Sequence, residues 1–539
     1  MLLIHPAGKS YGGTLSDFIP LTVSMSIGVL AAQMRKNRYP AQIWDEELAQ
    51  ITPENIESIV TSLEKPYIFG ISTLTAQASR SYELATLLKA CFPDSTVILG
   101  GYHPTALPEE ALSIPAVNYV VRGEGEITLI ELYKYLREGS SSLESIRGIS
   151  FRGPDGSIRH TAERALIADL DSLPDFPYHI YQDLLTDTSS RRKYDWGNIF
   201  TSRGCPYRCT YCTQRMMTGS TYRFKSNSRI IQELKFLIEQ LNTNQIFFQD
   251  DNLLVNRKRI AELCNFIYDA GLHKKCTFTL QARSDNLYPE IMPLLKKANF
   301  KTIGVGMEVA TDRLNLLIDK RLTVQQNIDA VQLAKKYGMN VDLYMIFGFP
   351  SETKQDRRAG YEIAKKLKPN LAKFTNILPY PGTPLYESVK DSNRLHIKGC
   401  WENFRSTIAE IGLVLGKKEP LPYVPDSCSE WELMRTIIRY NFLMILQPHS
   451  LKTLLLSKKN SGLLHFPPYW YVKPTIVLSL FALTTKLLLN FLFTLFPLCI
   501  SEKVMHWLNP ALKERLAEKS SNIFEPKRWT SVSLKKSLE

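Results

Sequence analysis

"GNIFTSRGCPYRCTYC" occupies residues 197–212 and runs a strand-like start into three cysteines, Cys205, Cys209 and Cys212. Their spacing is C-x3-C-x2-C. Thiolates are soft ligands that suit zinc or iron–sulfur clusters. A structural zinc site takes four protein ligands, commonly as two Cys or His pairs. No CxxC or HxxxH partner stands elsewhere in the chain. Three thiolates can instead hold three irons of a [4Fe–4S] cluster and leave the fourth iron open to a small molecule. On spacing alone a cluster, a zinc ion and plain structural cysteines all remain open. The other six cysteines are scattered singly, unlike a disulfide framework, so a reducing cytoplasm is expected.

Downstream, the strand-like runs "QIFFQD", "CTFTLQ", "TIGVGM", "NVDLYMIFG" and "AKFTNIL" alternate with helical stretches such as "SRIIQELKFLIEQL" and "TVQQNIDAVQLAKKYG". Six βα units over 196–400 predict a partial (β/α) barrel. The cysteine run follows its first strand, on the strand-end face where such barrels keep their chemistry. Upstream, "LLIHP", "AQIW", "YIFGIS", "TVILGG" and "VNYVVRG" predict a doubly wound parallel sheet over 1–145, with a ligand crevice at the strand ends. Gly100 and Gly101 at one such end would let backbone approach a large ligand. Residues 146–195 read as a linker with a hairpin around Pro154-Asp155-Gly156. The fold class is therefore α/β in two units, followed by a mostly helical region over 401–539.

The 539 residues suffice for several cores, and 66 Lys+Arg against 53 Asp+Glu give a net charge of +13. That balance suits an anionic partner without choosing among lipid headgroups, nucleic acid and phosphorylated substrates. The start "MLLIHPAGKS" lacks the charged and apolar regions of a secretory signal. Near the other end, "KPTIVLSLFALTTKLLLNFLFTLFPLCI" holds roughly 23 residues between prolines, about 34 Å as a helix. Lys486 sits in its middle, at a cost of roughly 2.5–3.5 kcal/mol in a bilayer. Thr475, Ser479, Lys486, Asn490 and Thr494 share a narrow polar stripe. The expectation over 475–497 is a helix lying on a membrane surface or packed beside the barrel, with a buried core helix and a membrane-spanning helix as the alternatives.

The chain resembles the radical S-adenosylmethionine (SAM) enzymes, and more closely their subgroup with an N-terminal cobalamin-binding domain. "ILGGYHPTALPEE", "VVRGEGE", "SRGCPYRCTYC", "FQDDNLLVNRKR", "LQARSD", "GMEVATDRLNLLIDKRLT", "FGFPSET" and "LPYPGTPLYE" carry the resemblance over about Met1 to Trp401. It implies that Cys205, Cys209 and Cys212 hold a [4Fe–4S] cluster whose open iron binds SAM. It also implies that Tyr211 packs on the adenine and that Asp250 and Asp251 hold the SAM ammonium. Gln281, Arg283 and Glu308 are expected to face the same site, with Glu308 on ribose hydroxyls and Arg283 on a carboxylate. Ile346 and Gly348 are expected to line the adenine pocket. For each of these the alternative is ordinary packing, a helix cap or a structural salt bridge.

In the first domain the resemblance implies a cobalamin site near Gly100, Gly101, His103, Gly123 and Glu124. One departure matters. The D-x-H-x-x-G motif that supplies a histidine to cobalt is absent from "HPAGKSYGG" and "WDEELA", which leaves His5 and His103 as conceivable substitutes. "RGEGE" can also be structural, with a glutamate capping the next helix. The expected function is methylation of an unactivated carbon of an apolar substrate (lipid, isoprenoid or tetrapyrrole-like), with a reduced flavodoxin or ferredoxin-type donor. An oxidative cyclase or ring-rearranging enzyme is the alternative chemistry, and a non-catalytic zinc-binding regulator the alternative class. A nucleic-acid partner has little support, because no second cysteine triplet and no nucleic-acid module follow. Peripheral membrane association through the C-terminal helix is a further expectation.

Overall fold

The computed structural model describes residues 1–8, 21–139, 142–188, 194–405, 420–450, 488–489 and 491–508. Its first unit is a seven-stranded sheet of β1 (Leu2–His5), β2 (Gln42–Asp45), β3 (Ile68–Ser72), β4 (Thr96–Gly100), β5 (Tyr119–Val121), β6 (Ile149–Arg152) and β7 (Ile158–His160). The spatial order is β2-β1-β3-β4-β5-β6-β7, with the first five strands parallel. The hairpin around Pro154–Gly156 forms, and it does not stand apart in the linker. It docks antiparallel on β5 and extends this sheet. The order 2-1-3-4-5 reverses between β1 and β3, and open sheets bind ligands at that switch point.

The second unit is a six-stranded parallel sheet in sequence order: β8 (Asn198–Ile199), β9 (Gln245–Phe248), β10 (Thr277–Ala282), β11 (Phe300–Glu308), β12 (Asn340–Phe347) and β13 (Leu371–Asn376). This is the expected partial barrel. Alternation along its strands explains it. Phe278, Leu280, Ile303, Val305, Leu343, Met345 and Phe374 are buried against the outer helices, while the intervening residues face the lumen. The outer helices start where their sequences cap them. Thr323 with Gln326 and Thr353 with Asp356 form capping boxes at Val324–Lys336 and Lys354–Leu367.

A helix beyond the barrel, Glu430–Ile445, packs on β13. Its Asn441 accepts from the Phe374 N–H at 3.0 Å and donates to the Phe374 carbonyl at 2.8 Å, satisfying part of the open edge. A second helix, Leu498–Leu508, makes the described C-terminal region helical as expected. The turn "HPAGKSYGG" and the apolar segment 475–497 fall largely outside the described residues. Among the described residues no helix is long and apolar enough to cross a membrane.

Candidate active site

The cysteine loop leaves the barrel rim after β8. At Gly204 φ is +87° and a Cβ would lie 2.2 Å from the Thr221 carbonyl oxygen, so the turn into the loop needs glycine. The loop base is closed by a short antiparallel ladder between Ser202–Arg203 and Arg223–Phe224. Its far side is tied to the barrel at Thr210, which donates to the Ile318 carbonyl at 3.0 Å and accepts from the Leu385 N–H at 2.9 Å.

Cys205 and Cys209 are half-buried at the rim. Desolvation pushes the Cys209 thiol up, and the cations of Lys320 and Arg283 pull it back. Arg283 organises this corner. Its guanidinium lies 3.5 Å from the Tyr207 ring centroid and 3.5 Å from Cys209 Sγ, and it pairs with Asp285 at 3.1 Å. It also donates to the Lys320 carbonyl at 2.7 Å. Glu308 ends β11 in the left-handed region at φ 66°, just after a register shift. It folds back over Gly306, where a Cβ would sit 2.2 Å from Glu308 Oε1, and pairs with buried Lys320 at 3.3 Å. Sequence reasoning passed over Lys320, which is hidden among the charges of "IDKRLT".

The neighbouring carboxylates after β9 differ. Asp250 is fully buried and accepts from the Thr201 N–H at 3.2 Å, from Thr201 Oγ1 at 2.8 Å and from Ser202 Oγ. It fastens β9 to the start of the cysteine loop and is not turned to a ligand. Asp251 lines the cavity described below, accepts from Gln214 Nε2, and is pushed up to about 6, chiefly by desolvation. Tyr211 packs edge-on against Phe349, with ring centroids 5.7 Å apart. Ile346 is half-buried on the lumen face of β12. Gly348, at φ +97°, donates its N–H to Glu352, and a Cβ there would meet Leu433 of the C-terminal helix at 3.0 Å. Gln281 is exposed at the end of β10.

One cavity of about 310 Å³ joins the two units. On one side lie Gly100, Gly101, Tyr102 and Gly123 at the ends of β4 and β5. On the other lie Ser202, Arg203, Gln214 and Asp251 around the cysteine loop. Beneath the glycines an apolar slot of Leu3, Gly70, Ile98 and Val121 runs between the sheet and the helix Met25–Lys36. Gly101 has φ +100°, and a Cβ would lie 2.8 Å from the Thr73 carbonyl oxygen. At Gly123 nothing would obstruct a Cβ within 4 Å. Glycine turns above an apolar slot fit a large flat ligand with an apolar tail.

Two expectations for this side need correction. His103 does not face the cavity. It is fully buried with its Nε2 3.1 Å from Glu110, which also accepts from Tyr82 Oη at 3.0 Å and Trp401 Nε1 at 3.0 Å. No histidine is among the described residues lining the cavity, and His5 sits instead beside Gln77. Glu124 reaches the cavity wall, but its carboxylate is taken. Arg203 binds it at 3.0 Å, Arg223 at 3.0 Å and the Ile167 N–H at 2.8 Å. Desolvation would raise it, yet Arg223 and Arg203 hold it below the usual range. Glu126 takes the second nitrogen of Arg203 at 2.5 Å. "RGEGE" thus clamps the first unit onto the base of the cysteine loop. The sequence signal missed was Tyr102, beside the Gly100–Gly101 pair. Its hydroxyl bonds Gln214, which in turn bonds Asp251, so one short chain crosses the cavity wall.

Comparison with known proteins agrees with this geometry. The Radical SAM superfamily model matches residues 199–362, and the B12 binding domain model matches residues 21–133. An uncharacterized methyltransferase of Pyrococcus horikoshii is 33% identical over 68% of this chain and 78% of its own. The anaerobic magnesium-protoporphyrin IX monomethyl ester cyclase of Rubrivivax gelatinosus is 24% identical over 72% of this chain and 70% of its own. The cobalamin-dependent SAM radical enzyme OxsB, solved with aqua-cobalamin bound, shares the fold with a TM-score of 0.65. It is 17% identical and is matched over 96% of this chain and 84% of its own. The chain belongs to the radical SAM superfamily, in the subgroup that carries a B12 binding domain. It is an enzyme of that class, whose cofactors are a [4Fe–4S] cluster, SAM and cobalamin. A non-catalytic zinc protein does not fit that membership.

Proposed function

We propose that this chain methylates an unactivated carbon of a small, largely apolar organic substrate, by radical chemistry at the barrel rim. The observation that supports it most is the single cavity shared by the glycine turns of the first unit and the cysteine loop of the second. In this reading Cys205, Cys209 and Cys212 would hold the cluster, and Gly123 would leave room for the corrin ring beside the turn that Gly100 and Gly101 make against Val121 and Thr73. When bound, the cluster and SAM would supply one-electron radical chemistry and cobalamin a methyl group for the substrate. The chain's own residues orient and exclude water. Arg283 fixes the loop at Cys209, Asp251 faces the SAM ammonium, and Glu308, held over Gly306 by Lys320, faces the ribose. Ile346, Gly348 and Tyr211 flank the adenine. The anaerobic cyclase among the relatives supports oxidative cyclisation as the second reading.

An anaerobic assay tests both. With reconstituted cluster, added cobalamin and a strong reductant, the wild type is expected to cleave SAM, and Cys205→Ala, Cys209→Ala and Cys212→Ala are expected to abolish cleavage. Methylation gives S-adenosylhomocysteine alongside 5′-deoxyadenosine, whereas cyclisation gives 5′-deoxyadenosine alone. Cleavage that survives in all three variants would sink the radical reading.

A further inference from the structure

We propose that the barrel lumen holds a second, polar subsite in which Lys373 and Tyr344 bind a carboxylate on the far end of the substrate. The inference deepens the proposed function and rests on its placing the reacting carbon at the barrel rim. Strand register puts the groups together. Tyr344 on β12 stands opposite Lys373 on β13, and Asp342 lies two residues earlier on the same face as Tyr344. All three belong to the half-buried lumen face. The Lys373 ammonium lies 5.3 Å from the Tyr344 ring centroid. On the neighbouring strand β11, Gly304 gives the Tyr344 ring its room, since a Cβ there would sit 2.9 Å from Tyr344 Cε2.

What marks the place is lack of pairing. Among the described residues none hydrogen-bonds the Tyr344 hydroxyl, the Lys373 ammonium or the Asp342 carboxylate, and no ion pair forms between the last two. Elsewhere in the barrel charges are met, as at Lys320–Glu308 and Arg283–Asp285. A half-buried charge without a protein partner has to be met by water or by a ligand. Desolvation accordingly pushes Lys373 down and Asp342 up, each restrained by the other. Such groups gathered on one face of two adjacent strands are the pattern of a binding site.

The ligand class follows from the donors. An ammonium and a phenol on adjacent strands offer two hydrogen bonds, which suits the two oxygens of a carboxylate. Asp342 balances Lys373 when the subsite is empty and repels a second negative charge, which favours a carboxylate over a phosphate dianion. Tyr344 and Lys373 each lie three residues before the strand ends Phe347 and Asn376, so the carboxylate sits about 10 Å below the rim. The substrate is then an apolar molecule with a carboxylate that distance from the reacting carbon.

Calorimetry on the full chain tests this with dodecanoate and dodecanol as probes. The wild type is expected to bind dodecanoate about tenfold more tightly than dodecanol. Lys373→Met should bring that ratio to about one, and Tyr344→Phe should lower it about threefold, with dodecanol binding unchanged in both. A ratio near one in the wild type, or a ratio unchanged in both variants, overturns the subsite. If Lys373→Met fails to fold, Tyr344→Phe alone decides. Wild-type SAM cleavage, measured in parallel, separates the two readings: cleavage without carboxylate preference overturns the lumen subsite and leaves the radical reading standing.

Discussion

The seam between the two units and the lumen of the barrel both draw charge out of bulk water, more fully at the seam and by half in the lumen, and they treat it in opposite ways. At the seam Glu124, Glu126, Arg203 and Arg223 share four ion contacts of 2.5–3.0 Å. In the lumen Asp342, Tyr344 and Lys373 have no hydrogen-bond partner among the described residues. A paired buried network holds parts in register, because breaking it strands a charge. An unpaired one has its hydrogen-bonding capacity still to use. The contrast separates residues that position the chemistry from residues free to meet a ligand, although both kinds are polar and both sit near the site.

The largest effect is expected at the seam. Arg203→Ala leaves Glu126 unpaired and takes one of two guanidinium partners from Glu124, so it should cost about 3–5 kcal/mol of stability. Denaturant unfolding of the full chain measures this. The same variant should disturb the cluster's electron paramagnetic resonance spectrum, since Arg203 lies just before Gly204 and Cys205. A loss below about 1 kcal/mol would show that the seam is a weak surface contact, and the comparison would break.

A smaller effect divides the neighbouring carboxylates. Asp250→Asn cannot accept all the hydrogen bonds that Thr201 and Ser202 now donate, and should cost about 2–3 kcal/mol. Asp251→Asn keeps an acceptor for Gln214 and removes a desolvated charge, so its stability at pH 7 should be unchanged or higher. Equal losses from the two substitutions would erase the distinction between a fastening carboxylate and a facing one.

Much of this architecture was legible in the chain, and the limits are physical. The strands show locally in each segment, those of the first sheet as continuous apolar runs buried on both faces and those of the barrel by period-2 burial. The order β2-β1-β3 was not legible, since crossovers between distant segments set it. The hairpin was legible at Pro154-Asp155-Gly156, but its docking on β5 depends on an edge that only the folded sheet presents. In the site, the cysteine spacing reads directly because all three thiols come from one loop. Asp250 and Asp251 look alike in sequence, and only the packing of Thr201 beside one of them tells them apart. His103 draws attention by residue type, yet Trp401 and Glu110, brought in by tertiary packing, hold it in the core. Lys320 and Tyr102 lie inside the stretches that carry the family resemblance without standing out in them, Gln214 lies in none, and the importance of all three comes from partners on other elements.

The smallest expected effect sharpens the lumen side of the comparison. Asp342 is pushed from its ordinary 3.8 up to about 6, first by desolvation, with Lys373 opposing. Between those two values the folded chain keeps a proton that the unfolded chain has released. Stability should therefore fall as pH rises through that window, and this contribution should be flat above it. Once lumen water screens the group, the change amounts to about 1–2 kcal/mol. Asp342→Asn should remove that slope, which unfolding midpoints at pH 4.5 and 7.5 can compare with the wild type. If dodecanoate is bound to Lys373 and Tyr344, its negative charge should raise the Asp342 value further and move the window upward. A window that does not move on adding dodecanoate would mean the carboxylate binds elsewhere, because a second negative charge on the same lumen face must be felt by Asp342.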